Sequence, residues 1–283
     1  MEKLATKKPP AFSFLPLALL ALLLNACASS QARFETLRDS VPLRQDVAQV
    51  QGYRLLLLER QALAERGADV RVYIEGDGRP WLAGGELIAA DPTPRKPLAL
   101  ALMAQDEGGA LYLGRPCYFL GAGEAPCHPR DWTSHRYSEQ VVAVMSDALS
   151  KWLASHPRIS RVSLVGYSGG GVLAMLIGER VPQVRQVIAV AAPLDHAQWT
   201  KLHAYSALSG SLNVARQSDW RPGVERWAVF GEQDNNVPYA AMRHALPPGA
   251  RVLLLPGVSH ECCGDQTWTG ILGRLNQAAA ASP

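Results

Sequence analysis

The chain has 283 residues, 48% of them hydrophobic and 19% charged, with a formal charge of +3. That length suits one large domain or two small ones, and that balance suits a chain able to bury a core. With Lys3, Lys7, Lys8 and Glu2 set aside as part of an amino-terminal leader, the balance falls to +1, and no basic patch argues for nucleic acid as a partner.

The leader comes first. "MEKLATKK" supplies positive charge, and the uncharged run "AFSFLPLALLALLLNA" leads to "CASS", the order of a secretory signal over residues 1–26. Pro16 interrupts the run, which falls short of the roughly 20 residues a spanning helix needs. "LNAC", Leu24 to Cys27, resembles the lipobox of bacterial lipoproteins. That resemblance implies a lipidated Cys27 that anchors the protein to the membrane, at the periplasmic face of the cell envelope. Ala28, rather than aspartate, points by the same resemblance to the outer membrane. Residues 27–50 are polar and weakly patterned, as a tether would be, and the folded domain is expected over 51–283.

Strand-like and helix-like segments then alternate. "YRLLLLER" and "VRVYIEG" read as strands, "RKPLALALMAQD" as a helix with Pro97 near its start, and "GALYLG" as a strand. Cys117 and Cys127 flank a loop suited to closure by a disulfide. Cys262 and Cys263 are adjacent and form a vicinal bridge or none. "HECC" has no companion His/Cys cluster at zinc-like spacing, so neither metal nor cofactor is expected. "SEQVVAVMSDALSKWLASH" opens on a capping Ser138 and carries apolar residues at helical spacing. "RVSLVG" (strand), "GVLAMLIGER" (helix), "VRQVIAVAA", "RWAVFG" and "RVLLLPG" (strands) and "TWTGILGRLNQAA" (helix) complete the series. Such alternation implies a single α/β domain with a mostly parallel central sheet flanked by helices, its functional loops at the carboxyl ends of the strands. The insertion 193–223 is short enough to be a cap and too short for a second domain.

"GYSGG", Gly166 to Gly170, follows a strand and opens a helix, the setting in which G-x-S-x-G lifts a serine clear of the backbone. Asp234 follows a later strand in "VFGEQDNNVP", and His260 follows the last one in "LLLPGVSHECC". The order Ser168, Asp234, His260 resembles that of the α/β-hydrolase superfamily, over about residues 52–278. The resemblance implies a serine hydrolase that cleaves a carboxylic ester or related acyl bond of a small molecule or lipid through an acyl-enzyme. Ser168 would be the nucleophile, His260 the base and then acid, and Asp234 the group that orients the imidazole. Asp234 also suits a simple turn, and Asp195 in "AAPLDH" is the alternative acid.

For the oxyanion, the resemblance implies the backbone N–H of Gly169 and one from the loop "YIEGDGRPW", where Asp77 is preferred and Gly78 is nearly equivalent. Glu75 stands in that loop where many lipases and esterases have histidine. This departure gives weight to an alternative, a catalytically silent lipoprotein of the same fold acting as an envelope binding protein. Trp132, Arg136 and Tyr137 lie ahead of the long helix and serve either substrate or helix packing, the latter preferred. His196 and His203, in the insertion, line a pocket or face water.

Overall fold

The computed structural model describes residues 34–60, 69–120, 125–263 and 265–280. The leader and Cys27 lie outside them. Ten strands are present among the described residues: β1 Leu43–Val50, β2 Tyr53–Arg60, β3 Asp69–Ile74, β4 Trp81–Leu82, β5 Leu87–Ile88, β6 Ala110–Leu113, β7 Arg161–Tyr167, β8 Val184–Val190, β9 Glu225–Gly231 and β10 Arg251–Leu255. Eight of them form one sheet in the order β1-β2-β6-β3-β7-β8-β9-β10, while β4 and β5 pair as a separate hairpin. From β6 to β10 every neighbour is parallel, and β2 runs antiparallel to both β1 and β6.

The central strands are apolar on both faces because both faces are covered. Alternate side chains of β3 show this directly: Val70, Val72 and Ile74 join one core and Tyr73 the other. Helices α3 (Glu139–Ala154) and α4 (Gly169–Gly178) pack into the first core, and α2 (Leu98–Ala104) and α7 (Asp265–Ala280) into the second. Helix α4 is buried at all ten positions, as a helix apolar around its whole circumference must be. Ser138 caps α3 through the Val141 N–H, as its sequence predicts.

The expected tether over 27–50 needs correction. A helical turn over residues 34–39 (α1) sets Phe34 and Leu37 against the second core, and β1 pairs with β2 along its whole length. The turn between the two strands is Gln51-Gly52, both at positive φ (50° and 85°), the two-residue geometry that matches strand twist. Arg44, Gln45 and Asp46 on β1 are exposed, because an edge strand keeps much of its surface in water. That polarity is what made the segment read as a linker.

Cys117 and Cys127 form a disulfide, and Cys262 is bonded to Cys263. Closing a loop of sequence separation 10 restricts the unfolded chain by about 2–3 kcal/mol. Replacing Cys117 and Cys127 together by alanine should lower unfolding free energy by about that amount, read from urea denaturation under oxidising conditions.

Candidate active site

The order of the sheet creates the site. Chain progress reverses at β3: the next strand of the main sheet, β6, lies on one side of it and β7 on the other. A crevice opens at the carboxyl ends of two parallel strands that diverge in this way. Asp77 follows β3 there and Ser168 follows β7, with Ile74 and Gly166 paired in register just below.

Ser168 occupies the bend itself. Its backbone has φ 52° and ψ −121°, a conformation rarely adopted by a residue with a side chain. Its N–H is anchored to the Val190 carbonyl on β8 at 2.8 Å, and its carbonyl accepts from Gly171 at 2.9 Å. A Cβ on Gly166 would run into the carbonyl of Gly170, so the strand and the helix touch backbone to backbone. A Cβ on Gly169 would collide with the Asp77 carboxylate. The small residues around Ser168 are therefore required by close approach on both sides of the turn.

Asp234 and His260 come from the ends of β9 and β10, which are parallel neighbours. His260 Nδ1 donates to Asp234 Oδ2 at 2.8 Å, which leaves Nε2 as an acceptor. The other carboxylate oxygen, Oδ1, accepts the N–H groups of Asn236 (2.9 Å) and Val237 (2.7 Å). Asp234 is thus both the turn former and the imidazole's partner, two readings its sequence kept apart. Its side chain is fully buried, whereas the His260 side chain keeps 21% of its surface exposed. Tyr167, the residue before Ser168, holds the imidazole loop: its hydroxyl donates to the His260 carbonyl at 3.0 Å, and the two rings lie 5.4 Å apart. No hydrogen bond joins Ser168 to His260 among the described residues. Asp195 is elsewhere. It caps helix α5 (His196–Leu202) and bonds His244 and Asn213.

The loop after β3 carries two carboxylates in different settings, Glu75 buried and Asp77 half-buried. Glu75 is buried, and its carboxylate accepts from the Ala99 N–H in the first turn of α2, the Gly76 N–H and the Tyr112 hydroxyl. Burial outweighs these donors and raises its pKa from 4.5 to about 7. Glu75 is therefore a helix anchor.

Asp77 accepts from Arg115 (2.7 Å), Arg136 (2.9 Å) and the Tyr137 hydroxyl (2.6 Å). Burial alone would raise its pKa, but Arg136 and Arg115 prevail and hold it at about 2. Two guanidiniums against one carboxylate leave a net positive charge beside Gly169, at the amino end of α4, where an oxyanion would gain most from it. The backbone N–H groups of Asp77 and Gly169 donate to no acceptor among the described residues. Tyr118 donates to the Asp77 carbonyl at 3.1 Å and fixes the following peptide. Arg136 and Tyr137 thus support the site from below, and Trp132 donates to the Ala89 carbonyl. The only sequence signal for Arg115 is its place just after a buried strand.

Among the described residues no group of three His, Cys, Asp or Glu side chains is arranged to hold a metal ion, and no helix is long and apolar enough to cross a membrane.

No family model matches the chain, and no curated protein is similar to it in sequence. Solved structures do match. A membrane phospholipase A, described as a bacterial virulence factor, superposes with a TM-score of 0.55 at 14% identity, covering 94% of this chain and 99% of that one. An esterase of Pyrococcus furiosus gives 0.59 at 11% identity, over 85% and 92% of the two chains. The mouse alpha/beta hydrolase domain-containing protein 10 gives 0.55 at 13%, over 84% and 98%. The chain has the α/β-hydrolase fold. At such identities the likeness establishes the α/β-hydrolase architecture alone, and the chemistry has to be argued from the residues.

Two predictions test the loop. The unfolded Glu75 carboxyl ionises near pH 4.5 and the folded one near 7, so in that window the folded chain keeps a proton that the unfolded chain has lost, and stability falls as pH rises. Glu75→Gln should therefore gain on the wild type by about 3 kcal/mol between pH 4.5 and 8, measured by denaturant titration across that range. Asp77→Ala leaves Arg115 and Arg136 buried without their carboxylate and should cost about 3–5 kcal/mol in the same assay.

Proposed function

We propose that the protein is a serine hydrolase that cleaves a carboxylic ester or related acyl bond. The reading is carried by one observation: a serine held at φ 52° on a strand-to-helix turn, at the same sheet edge as a histidine bonded to a buried aspartate. A serine of ordinary pKa needs such a base, and the base needs an acceptor to set its tautomer.

In the proposed reaction His260 Nε2 takes the Ser168 proton as Oγ attacks the acyl carbon, and Asp234 stabilises the imidazolium. The N–H groups of Gly169 and Asp77 receive the oxyanion, in a field kept positive by Arg115 and Arg136. His260 then returns the proton to the leaving group, and water resolves the acyl-enzyme by the same route. The contact between Ser168 and His260 would be completed with substrate in place, since catalytic hydrogen bonds often tighten only then.

The lipobox-like "LNAC" extends the proposal to location. A diacylated Cys27 would hold the domain at the periplasmic face of the envelope, probed by membrane partition of wild type and Cys27→Ser. Acyl lipids are then the natural substrate class, in keeping with the phospholipase and esterase among the structural matches.

A fluorophosphonate probe should label the wild type and leave Ser168→Ala unlabelled. Turnover of p-nitrophenyl butyrate should drop by about three orders of magnitude or more in Ser168→Ala and in His260→Ala, with unchanged unfolding midpoints. Labelling that persists in Ser168→Ala would remove the nucleophile. No labelling of the wild type would favour the silent binding protein.

A further inference from the structure

The insertion after β8 lines a half-open cleft of about 640 Å³, within the size range of small-molecule sites. Its walls include Leu176 of α4, His196 and Lys201 of α5, and Leu208, Asn213 and Arg216 farther along the insertion. Ser168, Asp234 and His260 are not among them. Tyr137, fully buried, stands between the two places: its hydroxyl bonds Asp77 beside Gly169, and its ring lies 6.1 Å from that of His196.

The chemistry of the lining is one-sided. It contains two cations and no acidic residue. Neither Lys201 nor Arg216 has an ion-pair partner among the described residues, and both are exposed. His196 is only 6% exposed; the backbone of Ser211 and Leu212 lies beside its ring, but no hydrogen bond of good geometry reaches either ring nitrogen. A buried imidazole whose nitrogens lack well-formed hydrogen bonds is uncommon, because each poorly satisfied group costs free energy that a ligand would recover. Burial lowers its pKa, so it stays neutral near pH 7 and offers one donor and one acceptor. The nearest carboxylate, Asp195, is occupied by Asn213, His244 and two α5 N–H groups. Leucines 176 and 208 supply an apolar surface beside these polar groups.

We propose that this cleft is a second ligand site, separate from the reaction centre, for an organic anion that has an apolar tail and a hydrogen-bonding group between head and tail. The anionic head meets Lys201 and Arg216, the central group bonds His196, and the tail lies on the leucines. The assignment holds whether or not Ser168 is a nucleophile.

N-hexanoylglycine has this chemistry and no ester to be cleaved, and N-hexanoylglycinamide is its neutral counterpart. Isothermal titration of the full-length protein should show saturable one-to-one binding of the acid and little of the amide. Binding should persist in Ser168→Ala and weaken about tenfold or more in the double variant Lys201→Ala/Arg216→Ala. His196→Leu should weaken it as well, while p-nitrophenyl butyrate turnover stays at the wild-type level in the double variant. The proposal fails if the acid does not bind, if the amide binds as well as the acid, or if binding is lost in Ser168→Ala and kept in the double variant.

Discussion

Everything at this site depends on how closely helix α4 approaches strand β7. Backbone meets backbone at Gly166 and Gly170, and the chain can reverse there only by placing Ser168 at positive φ. That strain is held by a hydrogen bond to β8 and by a helix buried on every side. A looser turn would bury the hydroxyl or move it away from the sheet edge. The close packing of α4 on β7 and the candidate chemistry therefore share the same few residues.

Around that turn, charge is arranged in layers. The Asp77 carboxylate lies against Gly169, where a bare negative charge would oppose an oxyanion. Arg115 and Arg136 reverse its sign, and each is nearly inaccessible, with side-chain exposures of 1% and 5%. In such a setting solvent screens little, so the field depends on which charges the protein has paired. Glu75, two residues earlier on the same loop, meets helix N–H groups and no guanidinium, and its pKa moves the opposite way. Two carboxylates on one short loop thus become a fixed anion and a titrating anchor, according to neighbours supplied by β6, α2 and the segment before α3.

Much of this was legible in one dimension. The strands β2, β3, β6, β7, β8, β9 and β10 announce themselves because buried strands are apolar runs, and buried runs have no other composition available. The edge strand β1 did not, since Arg44, Gln45 and Asp46 face water and a half-wet strand looks like a linker. The helix α5 in the insertion was hidden for a similar reason: only His196 and Thr200 on it are buried. Asp234 was ambiguous between turn and partner because the sequence cannot show that its two oxygens do different jobs.

What the sequence determined by itself is the order of elements and the types of residue placed after each strand: a glycine-flanked serine, an aspartate and a histidine. Periodicity and glycine content are local properties, so they survive without coordinates. Only the tertiary structure decided that Asp195 serves His244, that Arg115 and Arg136 converge on Asp77, and that His196 is buried in the wall of a cleft. Each of those joins positions far apart along the chain, and it is the sheet order, with β3 between β6 and β7, that brings such positions together.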